Sequence, residues 1–481
     1  MANSKHIIFG SGFSGLFSAL LLTQRGFGED TLVVEAGDEP GGLLRSRHFG
    51  QFGPFDYGTH NIQETGVAEI DSLLLGVLGK EEWNVLEGSQ RDLGGYIRHG
   101  LVHHESFYVD LRREAAESNK LSQAFFEHVE SVERTGDSPA SSDDSASAYL
   151  RNRFGPVASA PYLRRLEQKY ARPAEDLSVL ACKISAMERY VALDETETRR
   201  KYSEEKWRSV LGWPNQRTLP DKYSSGKKSF YPRAGGMQMW VDGAVSWLKS
   251  RGVVFSTSSK IESLSFTRGA LSGVRIASPT GTHEVNSELL VWTAARKGLI
   301  EMLPTNLDPG LSSSEVRPER PLTTWLVHLG LLEKPDVLRD LHYVVDHTPG
   351  HRVHRVTNYS SFCPEMAGDG VFPLTVELMD PTGDILTEEI AIQRVFDEFL
   401  VPIGIGEAEV AFIKAIELGR GYPLPSLAAN RKATSEAQLV DELTPHNILS
   451  LGSKPEKGIF FQSQIIEDAF EQIERWDTNV A

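Results

Sequence analysis

The chain of 481 residues has two cysteines, Cys182 and Cys363, which rules out a disulfide framework and leaves no cysteine set for structural zinc. It has no apolar run of the length needed to cross a bilayer, so no membrane span is expected. Its opening residues lack the charged region and small-residue cleavage site of a signal peptide, and a reducing cytoplasmic location is the expectation. Basic residues are also in deficit. Lys and Arg number 50 against 66 Asp and Glu, a formal net charge of −16, which argues against nucleic acid as a partner. Hydrophobic residues at 40% and charged residues at 24% are ordinary for a folded globular protein, and the length calls for two domains.

What is present begins at once. His6-Ile7-Ile8-Phe9 reads as a buried strand, Gly10-Ser11-Gly12-Phe13-Ser14-Gly15 as a glycine turn, and Leu16 to Gln24 as a helix. Gly10 permits a tight turn, Gly12 lets backbone approach a pyrophosphate, and Gly15 lets the helix pack on the strand. The helix N-terminus, with Phe13 and Ser14, then offers free N–H groups to phosphate. A second strand, Thr31 to Val34, runs into Glu35, 20 residues after Gly15, where a ribose-binding acid belongs, followed by Ala36. Next come Gly41-Gly42-Leu43-Leu44-Arg45-Ser46. A second glycine pair suits a longer dinucleotide whose ring system lies across the sheet, so FAD is the expected cofactor, with Arg45 offsetting pyrophosphate charge. No second dinucleotide motif serves a nicotinamide, so NAD(P)H enters only as a transiently docking reductant.

Later segments divide the chain. Residues 1–85, 221–318 and 441–481 read as the nucleotide-binding domain, with strands at Gly252 to Phe255 and Leu289 to Thr293 and a helix from Met239 to Ser250. Residues 86–220 and 319–440 read as an inserted substrate domain, a helical part plus a sheet with strands at Thr323 to Leu329 and Val371 to Leu378. The Ser/Asp-rich run from Thr135 to Ser147 has little to bury and reads as a mobile loop. The expected class is α/β: a Rossmann-like FAD-binding domain with an inserted mixed α+β domain. A substrate would meet the cofactor between the two.

Phe55-Asp56-Tyr57-Gly58-Thr59-His60 completes a pattern that resembles the flavoprotein group of amine oxidases, protoporphyrinogen oxidase and UDP-galactopyranose mutases. The resemblance implies that His60 lies beside the flavin, with Thr59 replacing the group's second glycine. Further segments are most similar to the mutases. Arg164 follows Gly155 by nine positions, and Pro232 to Gly236 resembles the turn by the isoalloxazine, which brings in Gly235 and Gly236. Arg352 to Ser360 resembles the run whose arginine and tyrosine hold a diphosphate, and Gly421 to Pro425 a turn whose tyrosine also touches it. Gly452 would approach the flavin pyrophosphate, although the arginine, tyrosine and asparagine that the mutases carry after it are missing.

The resemblance therefore implies His60 and Arg352 as catalytic groups, with Arg164, Arg352, Arg355, Tyr359 and Tyr422 around a nucleotide sugar. The reaction implied is pyranose–furanose isomerisation through a covalent bond between reduced flavin and the sugar. The alternative is an FAD-dependent oxidoreductase of the amine oxidase or desaturase kind, with a small-molecule substrate. No metal site is expected, and an oligomer is compatible with the sequence.

Overall fold

The computed structural model describes residues 5–113, 118–135, 145–304, 322–367, 370–419 and 424–480. Five parallel strands form its nucleotide-side sheet, in the order Val254–Ser256, Thr31–Val34, His6–Phe9, Leu289–Trp292 and Ile448–Ser450. Ile7, Ile8, Leu32, Val33, Leu290 and Val291 are all fully buried, as strands covered on both faces must be. Helices Phe13–Leu22, Met237–Lys249 and Gln462–Val480 cover one face. A three-stranded antiparallel sheet, Lys260–Thr267, Ala270–Ser278 and Gly281–Asn286, covers the other through Val274 and Ile276.

The second lobe is built on seven strands in the order Val410–Gly419, Thr323–Leu331, Phe372–Asp380, Val353–Asn358, Tyr343–Asp346, Gly94–Arg98 and Leu101–His103. Helix Glu388–Val395 packs on one part of this sheet. A separate helical core, rich in Tyr and Trp, is built around helices Ser118–Thr135 and Ala146–Tyr170.

The expected strands at Thr323 and Val371 are present and run on to Leu331 and Asp380. The Ser/Asp-rich run is different at its end. Ser145 caps a helix by accepting from the Ala148 N–H at 3.1 Å, so Ser147 is helical and buried; residues 136–144 lie outside the described residues. A boundary at 440/441 also falls inside helix Leu427–Leu443. That helix packs on Arg296–Ile300, and its Val440 joins the nucleotide-side core.

The layers meet at Asp56. Its carboxylate accepts from the Met237 N–H at 3.0 Å, from Tyr231 Oη at 2.7 Å and from Ser46 Oγ. Its backbone N–H donates to Tyr359 Oη at 3.1 Å, and Tyr359 Oη lies 2.9 Å from Thr375 Oγ1. Full burial pushes the acid up to about 6. Ser46, Gly236 and Tyr359 are thus structural: a Cβ on Gly236 would come 2.6 Å from Asp56 Oδ1. Asp56→Asn puts an NH2 group against one of three donors. It is expected to cost about 1–3 kcal/mol in urea unfolding, and a loss below about 0.5 kcal/mol would show that the donors re-pair.

Candidate functional site

The first sheet ends in a turn that packs too tightly for side chains. A Cβ on Gly15 would sit 1.9 Å from the Gly10 carbonyl oxygen, and one on Gly10 would meet Thr293 Oγ1 at 2.3 Å. Thr293 fixes the turn by donating to the Phe9 carbonyl at 2.8 Å. Gly12 is the exception, since nothing lies within 4 Å of its Cβ direction. It begins helix Phe13–Leu22, which no side chain caps. The turn therefore leaves an open approach to an uncapped helix N-terminus, the requirement for phosphate.

This approach leads into a cavity of about 1160 Å³ that runs between the lobes. The volume exceeds the usual small-ligand range and has room for a dinucleotide together with a substrate. Its cofactor end is lined by Gly10, Gly12, Phe13, Ser14, Leu43, Thr293 and Gly452. Ser14 Oγ is buried there without a partner. A Cβ on Gly42 would come 3.0 Å from Gly12 Cα, so the second glycine pair packs directly on the first. Arg296 also faces the cavity, paired with Glu456 at 2.7 Å.

Other expected cofactor residues stand back. Glu35 accepts from Ser11 N–H at 2.8 Å, Ser11 Oγ at 2.6 Å and Gly37 N–H at 2.7 Å, which uses three of about four acceptor positions. Ala36 is exposed. Arg45 donates to the Gly42 carbonyl at 3.1 Å and lies 5.3 Å over the Tyr57 ring, bracing the glycine loop. Gly235 and Gly236 do not line the cavity; they turn the chain into helix Met237–Lys249 beside Asp56.

His60 lies deeper in the cavity. Gln462 Nε2 donates to its Nδ1 at 3.2 Å, which leaves the ring hydrogen on Nε2, and Nε2 has no partner. Burial, followed by the nearby Arg355 charge, pushes His60 down to about 4, so the ring is neutral at physiological pH. Thr59 Oγ1 hydrogen-bonds Thr357 Oγ1 and so ties this motif to the seven-stranded sheet.

The expected diphosphate site does not assemble. Arg355 faces the cavity, but Glu377 holds it in a fork, Nε to Oε1 at 2.9 Å and Nη2 to Oε2 at 3.1 Å. Arg352 points away, to Thr382 Oγ1 at 2.9 Å and Asp384 Oδ2 at 3.1 Å. Arg164 lines a separate pocket, Tyr359 is in the core, and Tyr422 lies outside the described residues.

Sequence reasoning missed Glu377, Asp92 and Thr293. Glu377 is 1% exposed in the middle of the mostly apolar strand Phe372–Asp380, where an acid inside an apolar run was its only signal. Asp92 lines the cavity, hydrogen-bonded to Tyr343, and burial raises its pKa. Among the described residues no metal-binding cluster occurs, and no helix is long and apolar enough to cross a membrane.

A family model for an NAD(P)-binding Rossmann-like domain matches residues 8–70. No curated protein matches the chain by sequence. Among solved structures, reduced UDP-galactopyranose mutase overlaps it with a TM-score of 0.74 at 18% identity, covering 99% of this chain and 96% of that one. A protein from Exiguobacterium sp. 255-15, described provisionally as a protoporphyrinogen oxidase, gives 0.67 at 15%, with 100% of each chain covered. Putrescine oxidase bound to putrescine gives 0.59 at 15%, covering 99% of this chain and 98% of that one. The chain shares the overall fold of these three structures. The open Gly12 approach, the uncapped helix and the unpartnered Ser14 and His60 atoms suit a flavin dinucleotide.

Two outcomes follow. Gly12→Ala keeps the apo-protein's unfolding midpoint and weakens FAD binding by at least about tenfold in fluorescence titration; unchanged affinity would place the pyrophosphate elsewhere. Acid should also destabilise the fold. Burial pushes His60 and His342 down to about 4 and His328 to about 3, whereas an unfolded histidine charges near 6.5. The unfolded chain therefore binds more protons between about pH 6.5 and 4, and stability falls as pH drops through that window. Asp56, Asp92 and His351, all raised, oppose this, while His6, His103, His347 and His354 are lowered too and add to it. A urea midpoint that holds steady from pH 7 to about 4.5 would contradict it.

Proposed function

We propose that the protein is an FAD-dependent oxidoreductase that oxidises a small polar molecule, neutral or cationic, between its two lobes. The observation that carries this reading is the Arg355–Glu377 fork. Among the described residues, the expected diphosphate ligand that faces the cavity is Arg355, and a buried carboxylate already neutralises it. A dianion would have to break that pair and leave Glu377 buried without its partner, which is costly. The same wall presents Asp92, Glu188 and Glu377 against Lys183 and Arg355, a balance that does not favour a dianion.

Flavin bound at the glycine turn would supply the two-electron acceptor. The protein's own groups would do the rest. His60, neutral and with Nε2 unpartnered, would donate a hydrogen bond at the flavin edge. Asp92, whose pKa burial raises, would take the proton that leaves a substrate O–H or N–H as the hydride departs. Phe107, Tyr108 and Phe362 supply aromatic walls for the substrate.

A second reading, ring isomerisation of a nucleotide-diphosphate sugar by reduced enzyme, draws on one observation. The overlap with UDP-galactopyranose mutase, at 0.74, exceeds that with putrescine oxidase, at 0.59.

Anaerobic FAD-loaded protein distinguishes them. Bleaching of the flavin band by an amine or alcohol supports the oxidoreductase. Pyranose–furanose exchange of a UDP-sugar by pre-reduced protein, without net flavin turnover, would replace it with the mutase. Arg352→Ala should change UDP affinity less than about twofold, because Arg352 pairs outside the cavity. Glu377→Gln, which frees the Arg355 charge, should raise it by about tenfold. The reverse pattern would show that Arg352 turns inward to hold the nucleotide.

A further inference from the structure

Helix Ala146–Tyr170 breaks at Gly155, where φ is +80° and a Cβ would lie 2.8 Å from the His128 ring. Its second half carries Arg164 and Arg165 toward the ends of strands Gly94–Arg98 and Tyr343–Asp346. Between them is a pocket of about 110 Å³, apart from the large cavity, walled by the stacked rings of Tyr162 and Tyr190. That is the space of about three or four waters, enough for one phosphate.

The charged groups that line this pocket are all cationic: Arg98, Arg164 and Arg165. Arg165 is 8% exposed; one Nη donates to the Asp346 carbonyl, while its Nε has no partner. His347 is 2% exposed; its ring has a backbone hydrogen bond at Phe107, which leaves one ring nitrogen without a partner. Arg164 is exposed at the mouth, and Arg98 stands at the strand end. Asp346, the carboxylate at the adjoining strand end, is committed elsewhere. It accepts from the Thr348 N–H at 2.6 Å and from His351 Nδ1 at 2.8 Å. Buried polar groups are ordinarily satisfied, so the orphaned Arg165 Nε–H beside the free His347 ring nitrogen calls for a ligand that pairs with both, an acceptor that also draws a proton onto the imidazole.

We propose that this pocket binds a phosphate-sized oxyanion, with Arg165 and His347 donating from the floor and Arg164 closing the mouth. Two guanidinium groups on consecutive helix residues and one imidazole match the acceptor-rich faces of a tetrahedral dianion. The electrostatics agree. Burial and mutual repulsion push Arg165 down to about 9 and set Lys169 and His347 well below their ordinary values. A bound anion relieves that repulsion. The site is independent of the substrate reading above. Arg164, expected beside the flavin substrate, would instead serve here.

The test uses the full FAD-loaded chain, so that the cofactor's own phosphates fill the glycine turn. Inorganic phosphate is titrated by calorimetry at constant ionic strength, with chloride as the control. One saturable site is expected, with a rise in the unfolding midpoint. Arg164→Ala, which removes an exposed side chain, should weaken phosphate at least about tenfold while leaving flavin content and the phosphate-free midpoint unchanged. His347→Phe, which keeps a ring and removes both nitrogens, should weaken it as well. A phosphate monoester binding more tightly than phosphate identifies a phosphorylated small molecule as the ligand, and the opposite order identifies free phosphate; either supports the site. No saturable binding at tens of millimolar, or equal binding by wild type and Arg164→Ala, would overturn it.

Discussion

Burying a carboxylate is costly unless its partners are in place, and Asp56 makes that cost the point on which this architecture closes. Its donors come from a strand pair, a helix N-terminus and a separate ladder, and its own N–H reaches the seven-stranded sheet through Tyr359. None of these elements can shift without leaving a charge or a donor stranded. The cavity between the lobes inherits its shape from that constraint, because Gly58, Thr59 and His60 follow Asp56 directly. A Cβ on Gly58 would already lie 3.3 Å from Glu377. The same few residues set the distance from glycine turn to substrate wall.

That wall is nearly self-compensated. Arg355 and Glu377 satisfy each other, and Asp92 is held by Tyr343, so the compartment offers directional hydrogen bonds more than net charge. Uncompensated positive charge lies instead on the far side of the sheet strands, around Arg164 and Arg165. Lys169 links the two places: it is one turn beyond Arg165, and its Nζ contacts Nδ1 of His354, which lines the cavity. The molecule thus separates a flavin-sized compartment from a small cationic one, with a buried Lys–His contact between them.

Local pattern explains what the sequence showed clearly. The first strand, turn and helix, the acid at Glu35 and the glycine pair all depend on neighbours within a few residues, and all form as the spacing requires. Partners far apart in the chain were not legible. Glu377 meets Arg355 across two strands, and Thr293 meets Gly10 across the first sheet. Nor was the side on which Arg352 and Arg355 lie: a register shift between Val353 and Arg355 puts His354 and Arg355 both on the cavity wall and leaves Arg352 outside it. Arg164 and Arg165 show the same for a helix, since the break at Gly155 decides where that face points. Gly236 and Ser46 were recognised as special residues for the right motif, yet the atom they serve is the Asp56 carboxylate.

The cofactor end of the cavity is assembled from residues 10–14, 293–296 and 452–453. The first and last of these pieces lie far apart in the chain, so the last is made long after the first. A nascent chain therefore carries a complete nucleotide-binding signature long before it carries a nucleotide-binding surface. Capture of the dinucleotide waits for the segment around Gly452, and a chain cut before it would carry the signature without the full surface.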